Sequence, residues 1–397
     1  MDIDLNPKVS TKLRGGVGGS YSSWSPDELG MMKRSNIAAA KLALGKDAIA
    51  LPHYSDSGKF ALVLQGNGVA GVILPEKEEK LIGIRSGDAI SLPCGAVTWW
   101  HNKEDAEVIV LFLGDTSKGD NPGYFTDYCL TESNGIFTGF SSELASLAWD
   151  ADESTNDSVL TYSNPHLNLG AKPILLLLGF GFPSTCSLTP YSNNYIKLPN
   201  LKNDDRDGLV YNADEFEFKN GELVLLNADK LPLAADIGLC AGLVKLEGSA
   251  TYIVKSNYIT MHATYIVSGS GNVELVGVDG KTVLDASVTA GQLFIVPRLC
   301  GVSKISDPDG MSWFTIFPTP ILPQPPVALP RHRATHRARR EQRLARTRPC
   351  NCEGCTAVFP LSGLKAHIKA VHKAFKFICN HCGEGFKLES ESEDHIC

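Results

Sequence analysis

The most informative absence in this sequence is that of a long apolar run. Among its 397 residues the longest such run covers residues 173–182. A membrane-spanning helix needs about 20 predominantly apolar residues. The first residues, MDIDLNPKVSTKLRGG, also lack the apolar core of a secretory signal. We therefore expect a protein that neither spans a membrane nor is secreted, and we predict a cytoplasmic location.

Long helical patterns are also missing. Residues 37–149 and 216–317 consist mainly of short runs that alternate apolar and polar positions, separated by turn-forming residues. This rhythm is typical of antiparallel sandwiches and barrels, so we predict one β-barrel domain in each range. The Gly- and Ser-rich residues 1–36 are predicted to form an irregular arm with a short helical turn at 26–32. Residues 150–215 are predicted to form an irregular connection, and residues 141–149 have helical periodicity.

Cysteine is scarce in most of the chain. Five of the 11 cysteines lie far apart in the body, and the other six lie within residues 350–397. Isolated cysteines without a secretory signal predict reduced thiols, whereas cysteines clustered with histidines indicate a metal site. The isolated five are Cys94, Cys129, Cys186, Cys240 and Cys300.

An internal repeat organises the body. The segments Gln65–Pro93 and Ser268–Pro297 share a Gly-x-Gly pair followed by a Gly-x5-Pro pattern, at nearly constant separation. A repeat of this length indicates a duplicated domain.

The motifs around the repeat resemble those of the 11S seed storage globulins (legumins and glutelins), which are bicupin proteins. The resemblance rests on GGVGGSYSSWSPDELG and GDAISLPCGAVTWWHN in the first half and on GQLFIVPRLCGV in the second. It implies a mainly β fold of two tandem cupin (jelly-roll) barrels, a nutrient-reservoir function and a homotrimer. The chain departs from the family at Asp207-Gly208, where a typical globulin has an Asn-Gly processing site followed by a cysteine.

The metal ligands of catalytic cupins are missing from both copies. Those enzymes place His-x-His-x3–4-Glu before the Gly-x-Gly pair and a further histidine on a later strand. In the first copy His53 matches the first ligand, but Ser55, Lys59 and Thr98 stand at the other positions. In the second copy Val302 stands at the last position, and the one nearby histidine, His262, is out of place. We predict no metal in either barrel and no enzymatic activity, with a cupin oxidase or isomerase as the alternative.

Composition changes abruptly at Pro318. Residues 318–349 are rich in proline and then arginine, and they are predicted to form an extended linker. Residues 331–397 contain 13 Lys and Arg against 7 Asp and Glu, so a basic tail follows an acidic body. A fusion of two genes would also explain the change.

The final residues, 350–397, resemble C2H2 zinc fingers of the transcription factor IIIA type, which implies a small ββα fold that binds Zn²⁺. The first finger fits well, although its central spacing is one residue short. The second is incomplete, and Cys397 stands where a histidine ligand is expected. The predicted zinc ligands are Cys352, Cys355, His367 and His372, followed by Cys379, Cys382 and His395.

Nucleic-acid binding by the tail is an alternative function. The base-reading positions of the first finger carry Pro360, Gly363 and Ala366, none of which can make bidentate contacts to bases. Any binding is therefore expected to be non-specific and salt-dependent, and the protein would then be nuclear. A solvated linker with one structural finger is the competing interpretation. The candidate contacts are Arg331, Arg333, Arg337, Arg339, Arg340, Arg343, Lys365 and Lys369.

Overall fold

A computed structural model describes residues 4–16, 18–130, 136, 141, 206–212, 220–253 and 261–318. It also describes the backbone of five short strands at 188–190, 347–349, 358–360, 377–378 and 385–386. The chain divides into two compact units, Met1–Pro330 and Arg331–Cys397. No helix among the described residues is long and apolar enough to cross a membrane.

The first half of the chain forms a barrel of two antiparallel sheets. One helix, α1 (Met31–Ser35), precedes the fourth strand. The strands in chain order are β1 (Lys8–Val9), β2 (Thr11–Gly16), β3 (Gly19–Ser23), β4 (Ile37–Leu44), β5 (Ala48–Ser55), β6 (Gly58–Gln65), β7 (Asn67–Ile73), β8 (Lys80–Arg85), β9 (Asp88–Leu92), β10 (Val97–His101), β11 (Val108–Asp115), β12 (Asp127–Cys129), β13 (Leu188–Pro190) and β14 (Val210–Asn212). One sheet has the order β14-β9-β6-β11-β4-β3-β2. The other has the order β12-β5-β10-β7-β8, and β13 also pairs with β5.

The second half forms one eight-stranded antiparallel sheet around its own core. A short helix, α2 (Ala234–Ile237), precedes the strand β16. The strands are β15 (Leu223–Leu226), β16 (Leu239–Leu246), β17 (Thr251–Ile253), β18 (His262–Val276), β19 (Thr282–Thr289), β20 (Gln292–Val296) and β21 (Gly301–Pro318). The sheet order is β1-β20-β18-β21-β16-β15, with β17 paired to β21 and β19 paired to β18.

Apolar cores hold the body together, and several strands contribute to them from both faces. In β4, the side chains of Ala38, Ala40 and Leu42 fill the first barrel. Ala39, on the opposite face of the same strand, joins a core that residues of both halves share. A third core fills the second barrel. The near-continuous apolar run IAAAKLAL is thus explained by burial on two sides.

The repeated glycines lie where the sequence predicts turns. Gly66 separates β6 from β7 with φ +82°, and Gly269 has φ +73°. In the second copy the corresponding region is a single strand, β18, whose pairing with β21 shifts register on either side of Gly269. The duplication therefore preserves the glycine-dependent bend but not the interruption of the strand.

The prediction of an irregular arm over residues 1–36 was wrong for much of the described part. Strands β2 and β3 form a hairpin that extends the first barrel through β4, while β1 pairs with β20 of the second barrel. At Gly19 a Cβ atom would lie 2.0 Å from the carbonyl oxygen of Ala43. Gly19 therefore permits the close approach of strands β3 and β4.

Four strands of the second unit are paired as two short hairpins. Strand β22 (Thr347–Pro349) pairs with β23 (Val358–Pro360), and β24 (Phe377–Ile378) pairs with β25 (Gly385–Phe386). The helices and ligands of the predicted zinc fingers lie outside the described residues.

Candidate functional site

The first barrel contains a buried ion pair where catalytic cupins place metal ligands. Lys59 is the second residue of β6, and its Nζ lies 3.1 Å from Oδ1 of Asp127 on β12. Their side chains are only 7% and 14% exposed. The hydroxyl of Tyr21 donates to the other carboxylate oxygen at 3.3 Å. Each charge therefore has a partner, as burial requires.

Aromatic rings complete the surroundings of the ammonium group. Lys59 Nζ lies 5.1 Å from the centre of the Phe112 ring and 4.7 Å from that of Phe125. Ring faces attract cations at these distances, most strongly when water is excluded. The ion pair and these two rings together surround the Lys59 side-chain nitrogen inside the first barrel.

This pair forms part of the wall of a pocket between the N-terminal hairpin and strands β4, β5 and β6. The rest of the wall combines apolar and polar side chains. The polar residues on the wall are Arg14, Tyr21, Ser23, His53, Lys59, Tyr124 and Asp127.

Burial and charge together set the protonation of the pocket. The pKa of Asp127 is lower than usual: burial alone would raise it, but attraction to the Lys59 ammonium, and then to His53, outweighs that effect. The pKa of His53 is lowered mainly by burial, although Asp127 offsets part of the shift. The Nδ1 of His53 donates to the Leu51 carbonyl at 2.8 Å. At neutral pH the site therefore holds an ammonium, a carboxylate and an uncharged imidazole.

These residues do not fit the Mn or Fe ion of catalytic cupins. His53 lies opposite Thr98 in the pairing of strands β5 and β10. However, Thr98 supplies only a hydroxyl, the Ser55 hydroxyl donates to the Thr126 carbonyl, and the Lys59 ammonium would repel a metal cation. Within the described ranges no three His, Cys, Asp or Glu side chains form a metal-binding group.

Sequence reasoning missed Asp127, which lies 68 residues after Lys59. The three-residue strand β12 is too short to produce a recognisable alternation of apolar and polar positions. The one available signal was Lys59 itself, because a lysine inside a barrel needs a counterion.

The second barrel also contains a buried lysine, which sequence reasoning did not single out. Lys304 on β21 is 2% exposed, and its Nζ lies 4.3 Å from the centre of the Trp313 ring. The rings of Tyr252 and Phe294 lie at 5.6 and 5.7 Å. Burial lowers the pKa of Lys304 to about 7. Val302, at the predicted ligand position, is a buried core residue.

A second buried ion pair anchors residues 206–212 to the first barrel. Arg206 contacts both carboxylate oxygens of Asp88, at 2.8 and 2.7 Å, and Asp88 is fully buried. The Asn212 amide donates to the same carboxylate at 2.6 Å. The Asp207-Gly208 turn thus lies inside a firmly attached segment.

The prediction of reduced thiols was correct for three body cysteines and wrong for one. Cys94, Cys240 and Cys300 are free. Cys129 is disulfide-bonded, with a partner outside the described residues. Spacing along the chain does not indicate which distant cysteines become neighbours in the fold.

All predicted zinc ligands and nucleic-acid contacts lie outside the described residues. This applies to Cys352, Cys355, His367, His372, Cys379, Cys382 and His395. It applies equally to Arg331, Arg333, Arg337, Arg339, Arg340, Arg343, Lys365 and Lys369. They stay predictions.

The sequence pattern of the cupin family matches this chain in two segments, residues 9–157 and 209–321. Among curated proteins, glutelin type-A 3 of Oryza sativa subsp. japonica is 23% identical over 344 residues, which cover 68% of this chain and 68% of the glutelin. The 12S seed storage protein CRD of Arabidopsis thaliana is 21% identical over 369 residues, or 78% of each chain.

Solved structures with the same fold include two 11S globulins. Procruciferin from Brassica napus has a TM-score of 0.64 at 18% identity, covering 79% of this chain and 83% of procruciferin. The 11S globulin from Wrightia tinctoria, described as revealing an auxin binding site, has a TM-score of 0.65 at 19% identity. The match covers 83% of this chain and 86% of the Wrightia tinctoria globulin.

Proposed function

This chain belongs to the cupin family, and we propose that it is a storage globulin of the 11S type that serves as a nutrient reservoir. The protein is non-enzymatic, in keeping with relatives that are named as glutelins and seed storage proteins. The observation that carries the proposal is the Lys59–Asp127 pair, because it fills the ligand position of the first barrel with a fixed cation. A reservoir needs the stable scaffold and does not need the metal.

Quantitative mass spectrometry of developing and germinating seeds of the source plant tests this function. We expect the protein to accumulate with the other reserves and to decline when they are mobilised. A constant low abundance through both stages would contradict a reservoir role.

The competing enzymatic function predicts metal in the barrels. We expect elemental analysis of the purified full chain to find no stoichiometric Mn or Fe, even after incubation with either ion. Stoichiometric binding that the variant T98V abolishes would overturn our interpretation of the first barrel.

We also propose that the protein forms homotrimers, as the 11S resemblance implies. Light scattering coupled to size-exclusion chromatography measures the mass directly, against 42.8 kDa for one chain. A monomeric mass at micromolar concentration would count against trimer formation.

We propose further that the tail binds zinc. Support comes from the two hairpins, since β22 and β23 flank the pair Cys352 and Cys355, and β24 and β25 flank Cys379 and Cys382. We expect the full chain to contain zinc and the double variant C352S/C355S to lose one equivalent. The matched control is C94S, which removes a free cysteine of the body. Equal zinc content in the two variants would contradict a site at the first pair.

The basic run supports one alternative function, non-specific binding of nucleic acid. We expect the full chain to bind RNA or DNA only at low salt and the variant R337Q/R339Q/R340Q to bind more weakly, because fewer counterions are released. Equal binding by both proteins would eliminate this function, and localisation to the cytoplasm would then be the simpler expectation.

A further inference from the structure

The two barrels treat their internal lysines differently. In the first barrel the ammonium of Lys59 has a carboxylate partner, Asp127, at 3.1 Å. In the second barrel Lys304 has three aromatic rings around it, but no described carboxylate lies within ion-pair distance of its Nζ. One barrel therefore holds a neutralised charge, whereas the other holds an amine in an apolar core.

The strands around Lys304 place their acidic groups elsewhere. Strand β21 pairs with β17 at Tyr252 and with β18 at Val273. The carboxylate of Asp285 on β19 is exposed and that of Glu274 on β18 is partly exposed, and both accept hydrogen bonds from other side chains of these strands.

The other titratable groups of this core are the Tyr252 phenol and the Cys300 thiol, and neither is a carboxylate. Phe294 on β20 and Trp313 on the distal part of β21 contribute rings without ionisable groups. Nothing in the described core can therefore neutralise an ammonium by ion pairing.

Two opposing effects decide the charge of this amine. The ring faces favour the ammonium form, most strongly the Trp313 ring at 4.3 Å. Burial favours the uncharged form, and loss of hydration costs an unpaired ion more than ring faces return. Burial accordingly dominates and lowers the pKa of Lys304 to about 7.

We propose that Lys304 makes the second barrel a proton-sensitive module, which stays closed while the side chain is an uncharged amine and opens more readily once the amine is protonated. The inference does not depend on the storage function, because it follows from the burial and surroundings of one side chain.

The sign of the effect follows from the two protonation equilibria. A solvated lysine has a pKa of 10.5, against about 7 when the barrel is closed. Between these values the opened state holds one more proton, so the closed barrel gains stability as pH rises from about 7 and loses it as pH falls towards 7. Below the lower pKa both states are protonated, and the contribution of Lys304 becomes constant.

Hydrogen exchange with mass spectrometry on the full chain provides a barrel-specific test. After correction for intrinsic exchange rates, we expect the opening constant of wild-type β20 and β21 to fall about tenfold per pH unit between pH 7.5 and 9. The same strands of K304M should show no such trend. Peptides from β6 and β11 should respond equally in both proteins. The matched control is K245M, which removes an exposed lysine from β16 of the same sheet.

A second variant and a direct titration keep the proposal testable even if K304M does not fold. Because an arginine stays charged, K304R should open frequently at every pH tested. In ¹³Cε-lysine NMR, a single resonance that K304R removes should titrate near neutral pH. The proposal is overturned if wild type and K304M share one pH trend, or if that resonance titrates above pH 10.

Discussion

Removal of the ammonium from the first barrel is the perturbation with the clearest expected magnitude. In Lys59→Met an apolar side chain of similar length replaces the lysine, and Asp127 loses its ion-pair partner while it keeps the Tyr21 hydroxyl and its interactions with Ser55 and His53. Breaking a buried ion pair by removing one partner costs about 3–5 kcal/mol, because the remaining charge is uncompensated. Loss of the ring contacts with Phe112 and Phe125 adds to this cost.

Urea unfolding at pH 7 measures the loss in free energy of unfolding, provided that the transition of each barrel is resolved. The double variant K59M/D127L is the control, since it replaces both charges by apolar groups. We expect it to recover most of the lost free energy of unfolding, because apolar replacement of a whole buried pair is often neutral. A loss below about 1 kcal/mol in K59M would show that the pair is more hydrated than its burial indicates.

The pH dependence of the stability of K59M independently checks the direction of the Asp127 pKa shift. In the wild type the pKa of Asp127 is lowered, so its stabilising contribution is present above the ordinary carboxyl pKa of 3.8 and is lost as pH falls further. Without Lys59, burial dominates and raises that pKa. Lowering the pH from 7 to 5 should therefore reduce the stability difference between K59M and wild type. An unchanged difference would refute the reasoning.

Two further predictions concern the stability of the two barrels. Arg206→Met leaves the fully buried Asp88 carboxylate without its bidentate partner, and we expect a loss of about 3–5 kcal/mol in thermal unfolding together with faster proteolysis near residue 207. Gly269→Ala combines φ +73° with a Cβ atom 2.0 Å from the Gly310 carbonyl oxygen, so it should destabilise the second barrel by several kcal/mol. Gly280→Ala, with φ +75° and open space, should cost only about 1 kcal/mol, and equal losses would contradict the steric argument.

Much of the fold could be predicted because strand patterns are local. Alternating apolar positions and turn-forming glycines identified both barrels, and the duplication placed the bends at Gly66 and Gly269. The arm over residues 1–36 was missed because its hairpin is stabilised by pairing with β4, a contact that a Gly- and Ser-rich pattern does not reveal.

The candidate site could be predicted only in part. The loss of the metal-ligand set was visible from Ser55, Lys59 and Thr98, because ligand chemistry depends on residue type at fixed spacing. What replaces the metal was not visible, since Asp127 reaches the pocket from a strand far along the chain. The disulfide of Cys129 was missed for the same reason.

The sequence by itself determined that this protein is a duplicated β-barrel scaffold without the ligand set of catalytic cupins. Both features are carried by residue types at short, regular separations. The tertiary structure alone decided which charges are paired inside the barrels, because pairing depends on which distant strands become neighbours. In GVSKIS, alternation permits either face of β21 to point inward, and the fold buries the face of Val302 and Lys304. That choice places an amine in the core of the second barrel, where no carboxylate of the described residues pairs with it.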